Sequence, residues 1–255
     1  MKATRLMVAA ALVTSVPGFP QWLDYPTPGI PRTADGKPNL SAPAPKTADG
    51  KPDLSGLWYR DSARLFQDIA ADFKPGEFPI QPWAAAIATE REQTNRKDDP
   101  YSHCMPPSVP RINSGNHPFK ILQTPGLIAI LYETSNTFRQ IYTDGRPLPK
   151  DPQPTWLGYS TAHWNGDTLV VETAGFNDKN WLDGDKGHPQ TTALHVTERF
   201  HRINFGLLEI EATIDDSKAY TKPFNTKERL HLLADSDLIE DICENERDAS
   251  HLVGK

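Results

Sequence analysis

The chain has 255 residues, a formal charge of −6 at neutral pH and 37% hydrophobic residues. That is the composition of a globular chain able to bury a sizeable core, not of a disordered or fibrous one. The acidity argues against nucleic acid and against an anionic membrane surface as partners, since both call for a basic face.

At the start, Lys2 and Arg5 flank and precede the apolar run Leu6–Val13. Two cations followed by a short apolar core have the layout of a secretory signal peptide. The run is too short to span a bilayer, which needs about 20 apolar residues. A signal peptide is therefore expected over 1–18, with small residues near Val13-Thr14-Ser15 or Val16-Pro17-Gly18 for cleavage, and with a periplasmic or secreted destination. No cysteine follows to take a lipid anchor. The two cysteines, Cys104 and Cys243, suit an oxidising compartment. As a disulfide they would close a long loop, worth roughly 4 to 5 kcal/mol in the chain-entropy model; otherwise they are two unrelated buried thiols.

Residues 19–55 form a proline-rich arm with a direct 14-residue repeat, Thr33-Ala34-Asp35-Gly36-Lys37-Pro38-Asn39-Leu40-Ser41 and Thr47-Ala48-Asp49-Gly50-Lys51-Pro52-Asp53-Leu54-Ser55. The period is too short for a solenoid unit. Each copy offers an Asp-Gly turn and then a proline that fixes an extended path, which fits either an arm lying on the domain or a disordered linker. A single β-rich domain is expected over 56–255, beginning at Gly56-Leu57-Trp58-Tyr59.

Pro82 opens a helix expected over about 82–96, with Trp83, Ile87 and Arg91 at a spacing of four. Residues 98–118, broken by Pro100, Pro106-Pro107, Pro110, Gly115 and Pro118, read as an irregular crossing. Strands follow over 120–123, 127–134, 137–143, 156–164, 168–173, 194–202, 207–215, 226–233 and 238–243, separated by turn residues. Asn165-Gly166 is the strongest hairpin signal, because a type I′ turn needs positive φ at both central residues. The mainly β reading is an antiparallel meander closed as a lipocalin-like barrel, with a β-sandwich as the alternative. Along 207–215, Leu208, Ile210, Ala212 and Ile214 share one face and Glu209, Glu211, Thr213 and Asp215 the other.

Chemistry is sparser. Gly158-Tyr159-Ser160-Thr161-Ala162 lacks the last glycine of a nucleophile elbow and enters a hairpin, not a helix. The histidines show no metal-ligand spacing, so no metal and no cofactor are expected. Glu209 and Glu211, paired on one face, read as the solvated side of a half-buried strand. The long connection Gly175–Pro189 is the most unusual stretch. Within it Asp183 or Asp178 is placed to orient His188 as a general base near neutral pH, with Asn177 and Tyr159 as further catalytic candidates. Trp156, Tyr159, Thr161, His163, Glu172 and Trp181 are the candidate ligand-binding residues, provided that the Tyr159–Thr161–His163 face looks inward.

Several stretches together resemble a large, functionally uncharacterised family of secreted bacterial proteins common in soil bacteria. They are Trp22-Leu23-Asp24-Tyr25-Pro26, the doubled arm, Pro118 with Gln123-Thr124-Pro125-Gly126, Arg139-Gln140, Thr143-Asp144-Gly145-Arg146-Pro147, Gly166-Asp167-Thr168-Leu169-Val170-Val171, Gly175-Phe176-Asn177-Asp178, Gly187-His188-Pro189, Thr197-Glu198-Arg199-Phe200 and Cys243-Glu244-Asn245-Glu246. The resemblance implies export, one domain and the disulfide, and supplies no catalytic residue. Three functions are compatible with the sequence: an exported barrel binding a small apolar or aromatic molecule; a lyase, isomerase or hydrolase on the same barrel; or a surface interaction protein working through the arm. It fixes no oligomeric state.

Overall fold

Period-two alternation carries the chain into nine strands: β1 (Gly56–Arg60), β2 (Phe119–Thr124), β3 (Leu127–Tyr132), β4 (Thr137–Tyr142), β5 (Tyr159–Asn165), β6 (Thr168–Ala174), β7 (His195–Asn204), β8 (Leu207–Asp215) and β9 (Phe224–Leu232). In this computed structural model, which describes residues 26–243, they close in sequence order into one barrel, with β9 returning to β1. The signal peptide expected over 1–18 lies outside the described residues. Closure excludes the sandwich alternative and leaves edge backbone only along the short β4–β5 seam.

One pairing departs from a purely antiparallel meander: β4 and β5 run parallel, through only Ile141↔Ser160 and Tyr142↔Thr161. The cause is the connection 143–158, where Pro147, Pro149, Pro152 and Pro154 remove ladder donors. It crosses back outside the barrel, so that β5 starts at the same end as β4. A second correction concerns 238–243, expected as a strand. β9 already has β8 and β1 on its two sides, so no edge remains to receive it. The segment instead runs over the β3–β4 turn, where Ile239 N donates to Glu133 Oε2 (3.3 Å) and Asn136 Nδ2 to the Asp241 carbonyl (2.7 Å).

Helix α2 follows the short α1 (Arg64–Gln67) and spans Pro82–Gln93 with its proline in the first turn. It stops short of residue 96 because Asn95 and Arg96 take positive φ. The Cys104–Cys243 disulfide forms, with Cα atoms 5.6 Å apart. Among the described residues no helix is long and apolar enough to cross a membrane.

The two barrel ends are closed differently. At the arm end, both copies of the repeat fold into the same turn. Thr33 N donates to the Lys37 carbonyl (2.9 Å) and Asn39 N to the Pro31 carbonyl (2.7 Å); Thr47 N to Lys51 (2.8 Å) and Asp53 N to Pro45 (2.9 Å) repeat the pattern. The arm then docks on the β7–β8 turn through Phe205 N to the Ala42 carbonyl and Gly206 N to the Leu40 carbonyl (2.8 Å each). Gly206 is required by this approach, since a Cβ there would lie 2.5 Å from the Leu40 Cβ. The described part of the arm, residues 26–55, is thus packed on the barrel and not a free linker.

At the opposite end the crossing 98–118 enters the barrel. Its 3₁₀ turn Arg111–Ser114 is wholly buried. Asn113 Nδ2 donates to Glu198 Oε1 (2.7 Å), Tyr132 OH to Asn113 Oδ1 (2.8 Å) and Ser114 Oγ to Glu228 Oε2 (3.1 Å). Arg111 makes a two-pronged bond to Asp99 (3.0 and 2.6 Å). With this plug in place, the void left between Ile69, Asn113, Ile210, Thr226 and Glu228 is about 10 Å³, room for about one water. The interior is filled by the protein's own chain and is not a hollow cup.

Candidate functional site

With the interior filled, the concave surfaces among the described residues lie outside the barrel, one of them a wide polar hollow between α1, α2 and residues 185–186. The most developed case is a groove of about 580 Å³ at the arm end, between Pro28, Ile30 and Pro45 of the arm and Leu57, Leu122 and Leu233 on the barrel rim. Its volume lies in the usual range for small-molecule sites, and its walls are mainly aliphatic. One buried cation borders it. Arg202 stands on the inward register of β7 and is held between the rings of Trp58 and Phe205, 4.9 Å from each centroid. It donates to the carbonyls of Asp53 (2.5 Å), Ser55 (3.1 Å), Asn204 (3.3 Å) and Phe205. Burial lowers its pKa to about 10 against the opposing pull of the nearby Asp53 carboxylate, so the guanidinium remains charged at neutral pH; the Lys120–Asp237 ion pair lies on the same border.

The loop end carries the second candidate. The connection 175–189 folds back on itself, pairing Trp181 with Pro189. His188 Nδ1 is hydrogen-bonded to Asp183 Oδ2, while the carboxylate also accepts His188 N (3.0 Å) and Ile69 N (2.9 Å). With Nδ1 donating to a carboxylate, Nε2 is the free acceptor, the arrangement of an oriented base. Asp68 lies within 4.8 Å of the same ligand atoms, so Asp68, Asp183 and His188 form the one donor set among the described residues that could hold a cation. Both Asp183 oxygens are already occupied by N–H donors, however, which makes the set a hydrogen-bonded lock between the loop and residues 68–69.

The other sequence-derived candidates scatter. Asn177 does not join the dyad; its Oδ1 accepts Lys179 N (3.1 Å) as a turn would require. Asp178 is exposed. Trp181 is buried beneath the Arg91 guanidinium, 4.2 Å from the ring centroid. Tyr159, Thr161, His163 and Glu172 share the outward face of β5 and β6, as the register Thr161↔Glu172 and Ser160↔Thr173 requires, because Ser160 and Thr173 are the residues bonded to the interior Arg139. That face looks away from the core, so these four line no internal cavity. Tyr159 stacks on Tyr142 with centroids 5.3 Å apart, and Trp156 stands just before β5 on the same outer wall.

Sequence reasoning missed Arg202 and the interior pair Arg139–Glu198 (2.5 Å). A signal was present: along β7, Val196, Glu198, Phe200 and Arg202 alternate onto one face, so two charged residues share the register of two core residues.

Fold and site together define a closed nine-stranded mixed β-barrel protein with a self-filled interior and ligand-sized concavities outside it. Compared with protein-family models, curated proteins and solved structures, the chain matches none.

Proposed function

We propose that this protein is exported and binds a small, largely apolar molecule in the groove between the N-terminal arm and the barrel rim. The observation that supports the reading is the groove itself, about 580 Å³ with aliphatic walls and Arg202 at its border. An apolar body gains by leaving water at about 25 cal/mol per Å², and a polar or anionic end would lie toward Arg202, since the other cation lining the groove, Lys120, is paired with Asp237. Export fits the Cys104–Cys243 bridge and the expected leader. The arm repeat is engaged with its own barrel, which leaves the surface-interaction reading without a supporting observation.

Titration of the full chain with the fluorescent probe 1-anilinonaphthalene-8-sulfonate tests this. Saturable one-to-one binding is expected, weakened at least tenfold by Leu233→Arg. Absence of saturable binding, or binding indifferent to that substitution, contradicts the proposal.

A second reading is favoured by the hydrogen-bonded Asp183–His188 dyad: a lyase, isomerase or hydrolase using His188 as general base. On that reading His188→Gln and Asp183→Asn abolish turnover found in an activity screen while the variants stay folded. If the variants lose stability and any turnover persists, the dyad is structural.

A further inference from the structure

The parallel seam is the place where the barrel wall is least complete. Below the two β4–β5 pairs, the first half of β4 faces residues 155–159 without a ladder, and the opening is a cleft of about 390 Å³. Its walls are fixed. Thr155 N donates to the Gly175 carbonyl and Asn177 N to the Thr155 carbonyl (2.9 and 2.8 Å). Gly158 adopts φ +69° with a Cβ position only 2.7 Å from Thr173 Cγ2, so only glycine lets this segment press so closely on β6. Arg146 lies over Tyr142 (3.8 Å to the centroid) and donates to Tyr159 OH (3.2 Å), which locks the stacked tyrosines along one side.

The chemistry of the cleft is narrow in kind. Phe138, 61% exposed on β4, and Trp156 present ring surface. Thr137, Gln140 and Thr155 supply hydroxyl and amide groups. The only charged residue on the border is Arg139, and its side chain turns inward to Glu198, Ser160 and Thr173. Neighbouring Arg146 is neutralised by Asp144, with bonds of 2.6 to 3.0 Å. No free charge is therefore offered to a phosphate, carboxylate or ammonium group. A purely apolar ligand would gain nothing from the amide and hydroxyls and would strip them of water at a cost. Flat rings bordered by neutral donors and acceptors match a ligand with apolar C–H faces and a rim of hydroxyls.

We infer that the seam cleft is a second binding site, independent of the groove, and that it takes a neutral carbohydrate, with sugar rings lying against Phe138 and Trp156 and their hydroxyls meeting Gln140, Thr137 and Thr155. The site belongs to no element of the proposed apolar-ligand function, so either can fail alone.

The test uses the full chain with cellohexaose, xylohexaose, maltohexaose and chitohexaose as probes, read by saturation-transfer NMR and isothermal titration. At least one is expected to bind saturably, with affinity falling at least tenfold in Phe138→Ala and in Trp156→Ala and unchanged in Leu233→Arg. Phe138 is mostly exposed, so its substitution keeps the test valid if Trp156→Ala fails to fold. No binding by any of the four, binding unaltered by Phe138→Ala, or binding of the neutral aromatic probe indole in the cleft without any saccharide would each overturn the inference.

Discussion

Glu228 shows how one residue can report on the whole interior. It points inward from β9, accepts a hydrogen bond from Ser114 of the plug and borders the residual void. Burial raises its pKa to about 7, against an ordinary glutamate value near 4.3. The folded state then holds the proton more tightly than the unfolded state. This contribution to stability is complete below the unfolded pKa and declines as pH rises through the folded one, by roughly 3 kcal/mol between about pH 4 and pH 8. Glu228→Gln should flatten that part of the profile and be the more stable form at pH 8. Urea denaturation of both proteins at several pH values checks it, and parallel profiles would contradict it. The Arg139–Glu198 pair is a different case. Two charges there are removed from water at a cost of several kcal/mol each, offset by Ser160, Thr173 and Asn113 as hydrogen-bond partners. Since Asn113 belongs to the plug, the pair fixes where the plug sits. The sequence marks Glu198 only as part of a family-like stretch and does not single out Glu228, because alternation marks an inward register without saying which polar partner will arrive from a distant, irregular segment.

At the level of elements, strands with clean alternation were legible almost to the residue: 207–215 coincides with β8, and the Asn165-Gly166 turn joins β5 to β6 as expected. The start of β5 was placed three residues early, since Trp156-Leu157-Gly158 has strand-like composition yet lies along the open seam. Residues 238–243 were misread for a topological reason, closure of the barrel, that no local pattern carries. The disulfide gives this tail its role: it fastens the tail to the base of the crossing that becomes the plug. Cys104→Ser with Cys243→Ser should cost about 2 to 5 kcal/mol, and hydrogen exchange should rise first across 98–118 while β7 and β8 keep their protection. Uniform loss of protection, or none, would show that the bridge does not hold the plug.

For the molecule as a whole, barrel closure could be expected from nine short strands with turn signals between them, but its filling could not. The plug is built from Pro-rich sequence with no periodicity, so nothing in 98–118 announces an interior position. That single fact closes the barrel axis, where lipocalin-like expectations place a ligand, and leaves the two proposed sites on the outside: the groove under the arm and the cleft at the parallel seam. The arm, with its doubled turn, is then one wall of the groove proposed as the principal site. A crystal structure of the protein equilibrated with 1-anilinonaphthalene-8-sulfonate tests this most directly. The probe is expected between Ile30 of the arm and Leu57, Leu122 and Leu233 of the rim, with its sulfonate toward Arg202. Probe density along the barrel axis, with Arg111–Ser114 displaced, would contradict the account.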